Sequence, residues 1–103
     1  MKDFEQKVWE LTSRIPKGKV TTYKEIAKKL NCRAYRLVGM ALKNNPEPVK
    51  IPCYRVIKSN GEIGGYCGSE LGKINEKIAL LKRDGIEIKN NRINLEKYFW
   101  RLG

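Results

Sequence analysis

Two short helical patterns flank the dipeptide Asn31-Cys32, and this spacing constrains the fold more than any other feature of the chain. In the first, KVTTYKEIAKKLN, the residues Ile26, Ala27 and Leu30 recur at helical spacing. Thr21 or Thr22 can cap it, and Glu25 stands three residues after Thr22, in capping-box position. The second pattern is expected from Arg33 or Ala34 to Asn44, with Leu37, Val38 and Ala41 inward and Arg33, Arg36 and Lys43 outward. Two short helices with a tight turn, the second one basic, form a helix-turn-helix pattern over about residues 21–44. Asn45-Pro46-Glu47-Pro48 then ends the second helix, because proline removes a donor and restricts the residue before it.

The flanking segments complete one domain. Phe4, Val8 and Leu11 share a helical face over 4–14. After the second helix, VKIPCYRVI is an apolar stretch divided by Pro52-Cys53. Val56-Ile57 and Glu62-Ile63 then flank Lys58-Ser59-Asn60-Gly61, and Asn-Gly is the strongest short hairpin signal, so a wing is expected over about 56–66. The glycine-rich stretch Gly64–Gly68 precedes a helix expected from Leu71 to Asp84, with Ile74, Ile78 and Leu81 inward and Gly85 as its stop. The tail reads as a short hairpin pairing Ile86–Ile88 with Ile93–Leu95, followed by aromatics that pack back on the domain. The fold class is mostly α with a small β-hairpin wing, a winged helix-turn-helix in a single domain over 1–103.

Charge and residue usage narrow the partners. With 22 Lys and Arg against 11 Asp and Glu, the net charge is +11, which favours a polyanion, nucleic acid first. The bland alternative is a surface kept soluble by lysine. Hydrophobic residues make up 41%, enough for a core. No apolar run approaches the roughly 20 residues that cross a bilayer. The charged start MKDFEQK lacks a signal core, so a soluble, intracellular protein with no membrane partner is expected.

The chain has no histidine, which argues against ordinary zinc catalysis and against Ser-His or Cys-His triads. Cys32, Cys53 and Cys67 make neither a disulfide framework nor a zinc pattern. Cys53 stands out by its setting, after Pro52 and before Tyr54-Arg55. An unperturbed thiol, with a pKa of about 8.5, is mostly protonated at neutral pH, and a neighbouring cation raises the thiolate fraction. Arg55 is one candidate for that cation. The alternative is that Cys53 only fills the core as a small hydrophobe.

Five segments in order, GKVTTYKEIA, RAYRLVGMALKNNP, IPCYRVI, SNGEIGGYCG and LLKRDG, resemble the active-site domain of the O6-alkylguanine-DNA alkyltransferases from Gly18 to Gly85. The resemblance implies direct, irreversible transfer of an alkyl group from O6-alkylguanine in double-stranded DNA to Cys53, one per molecule, by a monomer without metal or cofactor. Arg36 would enter the duplex in place of the extruded guanine. Tyr23 would press on the adjoining phosphate, and Leu42 would pack against bases in the minor groove. Arg33 and Lys43 would join the DNA-binding set. Asn45 would brace the turns between the recognition helix and the cysteine, and Pro52 and Arg55 would be structural parts of the motif. Tyr66 would donate to the base, the Cys67-Gly68 backbone would shape the pocket near O6, Pro48 would line it, and the Val56 carbonyl would accept from the guanine amine.

The chain departs from the family's pattern in four ways. The family's Pro-Cys-His-Arg reads Pro-Cys-Tyr-Arg, with Tyr54 in place of the histidine that deprotonates the cysteine through water. Asp84 stands where that histidine's glutamate partner is expected. The pocket serine of many members is Cys67, and the family's usual N-terminal domain is expected to be missing, with only the helix at 4–14 ahead of the matched segments. Two other functions remain in view. One is non-enzymatic lesion binding that recruits other repair factors, as in alkyltransferase-like proteins, which carry tryptophan at the Cys53 position. The other is a winged-helix regulator with an inert Cys53.

Overall fold

Chain punctuation sets the elements. A computed structural model describes residues 2–47, 51–63 and 71–102. Pro48, the glycine-rich stretch, and with it Tyr66, Cys67 and Gly68, lie outside the described residues. The first helix, α1, spans Lys2–Ser13 and carries Asp3 and Glu5 in its first turn, where negative charge complements the helix dipole. It buries Val8 and Leu11 and half-buries Phe4.

Helix α2 spans Tyr23–Lys29 and begins at Thr22, whose side-chain oxygen accepts from the Glu25 amide at 3.0 Å. The Glu25 carboxylate instead accepts from the Leu102 amide at 3.1 Å. Glu25 therefore ties the C-terminal tail to α2 with the oxygen that a reciprocal capping box would use. Asn31 turns the chain at φ 54°, and the Cys32 amide bonds the Ala27 carbonyl at 2.8 Å. Helix α3 then runs Tyr35–Lys43.

The buried face of α3 is rotated from the expected one. Val38, Ala41 and Leu42 are buried, whereas Leu37 is half-buried. The cause is packing on two sides, since α3 rests on α1 as well as on α2. The Trp9 indole of α1 donates to the Ala41 carbonyl at 2.8 Å, and the Asn44 amide group donates to Glu5 at 2.9 Å.

Strand β1, Thr21–Thr22, pairs in parallel with β2, Val56–Ile57, in the register Thr21 to Val56 and Thr22 to Ile57. The expected wing turn forms, with the Lys58 amide on the Glu62 carbonyl at 2.9 Å and Gly61 at φ 91°. Its far side pairs elsewhere than expected. Glu62 bridges Arg92, and the Gly61 carbonyl accepts from the Ile93 amide at 2.8 Å. A Cβ on Gly61 would meet the Ile93 carbonyl oxygen at 2.9 Å, so glycine is required there for space as well as for its φ.

Helix α4 spans Leu71–Arg83 and ends at Gly85, φ 88°. Of its expected inner stripe, Leu81 is buried while Ile74 and Ile78 are half-buried, and Lys77 between them is fully buried. The tail hairpin pairs β3, Ile88–Lys89, with β4, Arg92–Ile93, around Asn90 and Asn91, both at positive φ. It is shorter than expected. Leu95 opens α5, Leu95–Tyr98, because Asn94 caps a helix by accepting from the Glu96 amide at 2.9 Å. The Trp100 amide bonds the Val20 carbonyl at 2.8 Å, which ties the aromatic tail to the domain. The architecture is mostly helical with small sheets, of the winged-helix kind. No described helix is long and apolar enough to cross a membrane.

Candidate active site and nucleic-acid interface

Cys53 begins a single 3-10 turn, Cys53–Arg55, that follows the fixed φ of Pro52. The turn is held by its own backbone: the Cys53 amide bonds the Ile51 carbonyl at 2.7 Å and the Arg55 amide bonds the Pro52 carbonyl at 2.9 Å. Cys53 is in no disulfide and is buried, 4% exposed. Asn45, at the end of α3, donates through its side chain to the same Ile51 carbonyl at 2.8 Å and accepts from the Glu47 amide at 2.8 Å. The end of the cationic helix is thus coupled to the cysteine turn through one shared carbonyl.

Beneath the turn, Tyr54, Arg55 and Asp84 form one buried network. The Tyr54 hydroxyl donates to Asp84 Oδ2 at 2.7 Å. Arg55 donates to the same oxygen through Nε at 3.4 Å and Nη2 at 3.3 Å, and through Nη1 to the Ile15 carbonyl at 2.7 Å. The guanidinium also lies 5.1 Å from the centroid of the Tyr54 ring. The Asp84 side chain is 0% exposed, so its charge depends on these donors. Among the described residues its other oxygen accepts no hydrogen bond.

The network fixes the protonation of Tyr54. Burial first, and then the bond to Asp84, push the phenol above its ordinary value, while Arg55 pulls it down. At neutral pH Tyr54 is therefore a neutral donor facing a carboxylate, with no basic lone pair comparable to that of an imidazole. Arg55, the cation weighed as an activator of Cys53, is bound to Asp84 and Ile15 instead.

The other expected residues divide between surface and core. Arg33, Arg36 and Lys43 are exposed. Leu42, expected among the bases, is 5% exposed and packs in the core, so the rotated face of α3 withdraws it from the surface. Tyr23 is half-buried, with the Lys77 ammonium 5.9 Å from its ring centroid. The Val56 carbonyl accepts from Lys77 Nζ at 2.7 Å, which leaves one lone pair for a second donor. Lys77 is the residue that sequence reasoning missed. Its signal was a cation placed three after Ile74 and four before Leu81, inside the apolar stripe of α4.

The chain is similar to several known proteins. The chain is 42% identical over 103 residues to a DNA base-flipping protein of Vibrio parahaemolyticus, covering 98% of this chain and 99% of that one. It is 47% identical over 92 residues to a bifunctional methyltransferase/endonuclease of Picrophilus torridus, but spans only 30% of that protein's length. It spans 41% of the length of methylated-DNA–protein-cysteine methyltransferases from two Methanosarcina species. Among solved structures, S. pombe Atl1 in complex with damaged DNA containing O6-carboxymethylguanine superposes with a TM-score of 0.86 at 32% identity, covering 98% of this chain and 97% of that one. A family model described as 6-O-methylguanine DNA methyltransferase, DNA binding domain, matches residues 3–86, and the chain belongs to that family.

Proposed function

We propose that the domain binds duplex DNA through α3, rotates an O6-alkylated guanine out of the stack, and accepts the alkyl group once on Cys53. The observation that carries this reading is the position of a buried cysteine on a braced turn, joined through Asn45 to the end of a helix with exposed cations. A base inside a duplex hides its O6 substituent, so the nucleotide must leave the stack first, at a cost of a few kcal/mol. Arg33, Arg36 and Lys43 supply phosphate attraction, and Arg36 has the length to fill the vacated space.

In the transfer itself a sulfur–carbon bond forms as the carbon–O6 bond breaks. The thiol proton goes to solvent, and the departing guanine takes up a proton. Tyr54 is committed as a donor to Asp84, so it does not stand in as a base for the histidine of the family's motif.

A second reading, lesion binding without transfer, is favoured by the match over nearly the whole chain to S. pombe Atl1, a structure with damaged DNA, and to the Vibrio base-flipping protein. Intact-protein mass after incubation with a duplex bearing one O6-methylguanine separates the two. One added methyl group, mapped to the Cys53 peptide, supports transfer. An unchanged mass together with preferential binding of the damaged duplex supports lesion sensing.

A further inference from the structure

Two large apolar side chains stand exposed among the described residues, Tyr35 at 49% and Met40 at 52%, and both belong to α3. Neither belongs to the core or to the half-buried shell around it. Arg36, Met40 and Lys43 fall at i, i+4 and i+7, so the thioether lies in one stripe between two cations. Helix α3 carries no acidic residue. Beside Met40, a Cβ built on Gly39 would meet nothing within 4 Å, so no part of the described protein covers this surface.

Leaving a methionine in water between two cations forgoes burial that a core position would provide. The charge around it selects a polyanion as the partner. An apolar side chain amid phosphate-binding cations is how minor-groove proteins press into a base step. Leu42, the residue expected to make apolar contact with bases, is withdrawn into the core.

We infer that Met40 is the apolar wedge of the DNA interface: it enters the minor groove beside Arg36 and covers the base pair next to the extruded nucleotide. The unbranched, polarisable side chain suits that place, because it can follow an irregular gap left by a rotated base. The inference rests on the flipping reading above, and it assigns the contact that discriminates an opened duplex from a closed one. Lys43 attracts either duplex, whereas Met40, like Arg36 in the vacated space, gains contact only when a step is opened.

The test is equilibrium binding of the full chain, wild type and Met40→Ala, to two duplexes that differ only in O6-methylguanine against guanine. Met40→Ala is expected to weaken binding to the lesion duplex about tenfold and to the undamaged duplex by less than about twofold, with an unchanged salt slope. Met40→Leu is expected to restore most of the loss. Because the side chain is exposed, the thermal midpoint of Met40→Ala stays at the wild-type value, which separates the effect from unfolding. Equal losses on both duplexes, or no loss on either, overturn the assignment while wild-type discrimination keeps the flipping reading intact. If wild-type protein binds the two duplexes equally, the flipping reading falls and the wedge falls with it.

Discussion

In α3 the cations Arg36 and Lys43 stand exposed and independent, each on its own turn of the helix. Around the Cys53–Arg55 turn the charges of Arg55 and Asp84 are buried and converge, with the Tyr54 hydroxyl, on one carboxylate oxygen. The two regions sit at opposite ends of the Asn45 brace, yet they obey different rules. Exposed cations act through screened, additive electrostatics, so removing one shifts affinity by a modest and salt-dependent amount. Buried charges act as a unit, and removing one leaves the others without partners. Binding in this domain should therefore change gradually under mutation, while the site that holds the cysteine should be brittle.

Four substitutions break or sharpen that contrast. On the proposed function, Cys53→Ala abolishes alkyl transfer, read as protein mass, and leaves DNA affinity unchanged. Loss of affinity in this variant would mean that the thiol also holds the interface together. Arg55→Ala takes the buried cation from Asp84 and the donor from the Ile15 carbonyl, leaving Asp84 the Tyr54 hydroxyl, and is expected to lower stability by about 3–5 kcal/mol in urea denaturation. A loss below about 1 kcal/mol would place this network among surface-like pairs.

Tyr54→Phe removes one donor from Asp84 and is expected to lower stability by about 1–3 kcal/mol at neutral pH. The sign of its pH dependence follows from a folded-state phenol shifted upward. Below the ordinary tyrosine range, about pH 10, the phenol is protonated in both states and its contribution is complete. As pH rises further, the unfolded chain releases its proton first, and the contribution disappears through the folded-state value. The gap between wild type and Tyr54→Phe should therefore stay constant up to about pH 10 and narrow above it, read as denaturation midpoints across that range. Smallest of the four, Lys43→Ala is expected to weaken binding a few-fold on any duplex and to lower the salt slope by about one. An effect confined to the lesion duplex would show that Lys43 is not an independent phosphate contact.

Much of the scaffold was legible because its signals are local. Thr22 as a cap, Asn45-Pro46 as a stop, and Gly61 and Gly85 as turns all depend on the conformational preferences of single residues. What failed depended on neighbours remote in sequence. Leu95 was read as strand because apolar alternation runs through it, but Asn94 captures the Glu96 amide and starts a helix. Leu37 and Leu42 exchanged burial because α1 approaches α3 from a side that the periodicity of α3 cannot reveal. The pairing of β1 with β2 joins residues about 35 positions apart, and no pattern of two residues announces that register.

For the site, the sequence by itself determined the chemistry on offer: a cysteine after proline, no histidine in the chain, and a basic second helix. Residue identity alone decides which groups can ionise, donate or attack. Tertiary structure decided what those groups do. It bound Arg55 to Asp84 and Ile15, made Tyr54 a donor, buried Lys77 against the Val56 carbonyl, and left Met40 rather than Leu42 on the surface. The physical reason is that partnership and burial depend on which segments meet in space. A hydrogen bond across thirty residues, or a helix face covered from an unexpected side, has no signature in the local order of the chain.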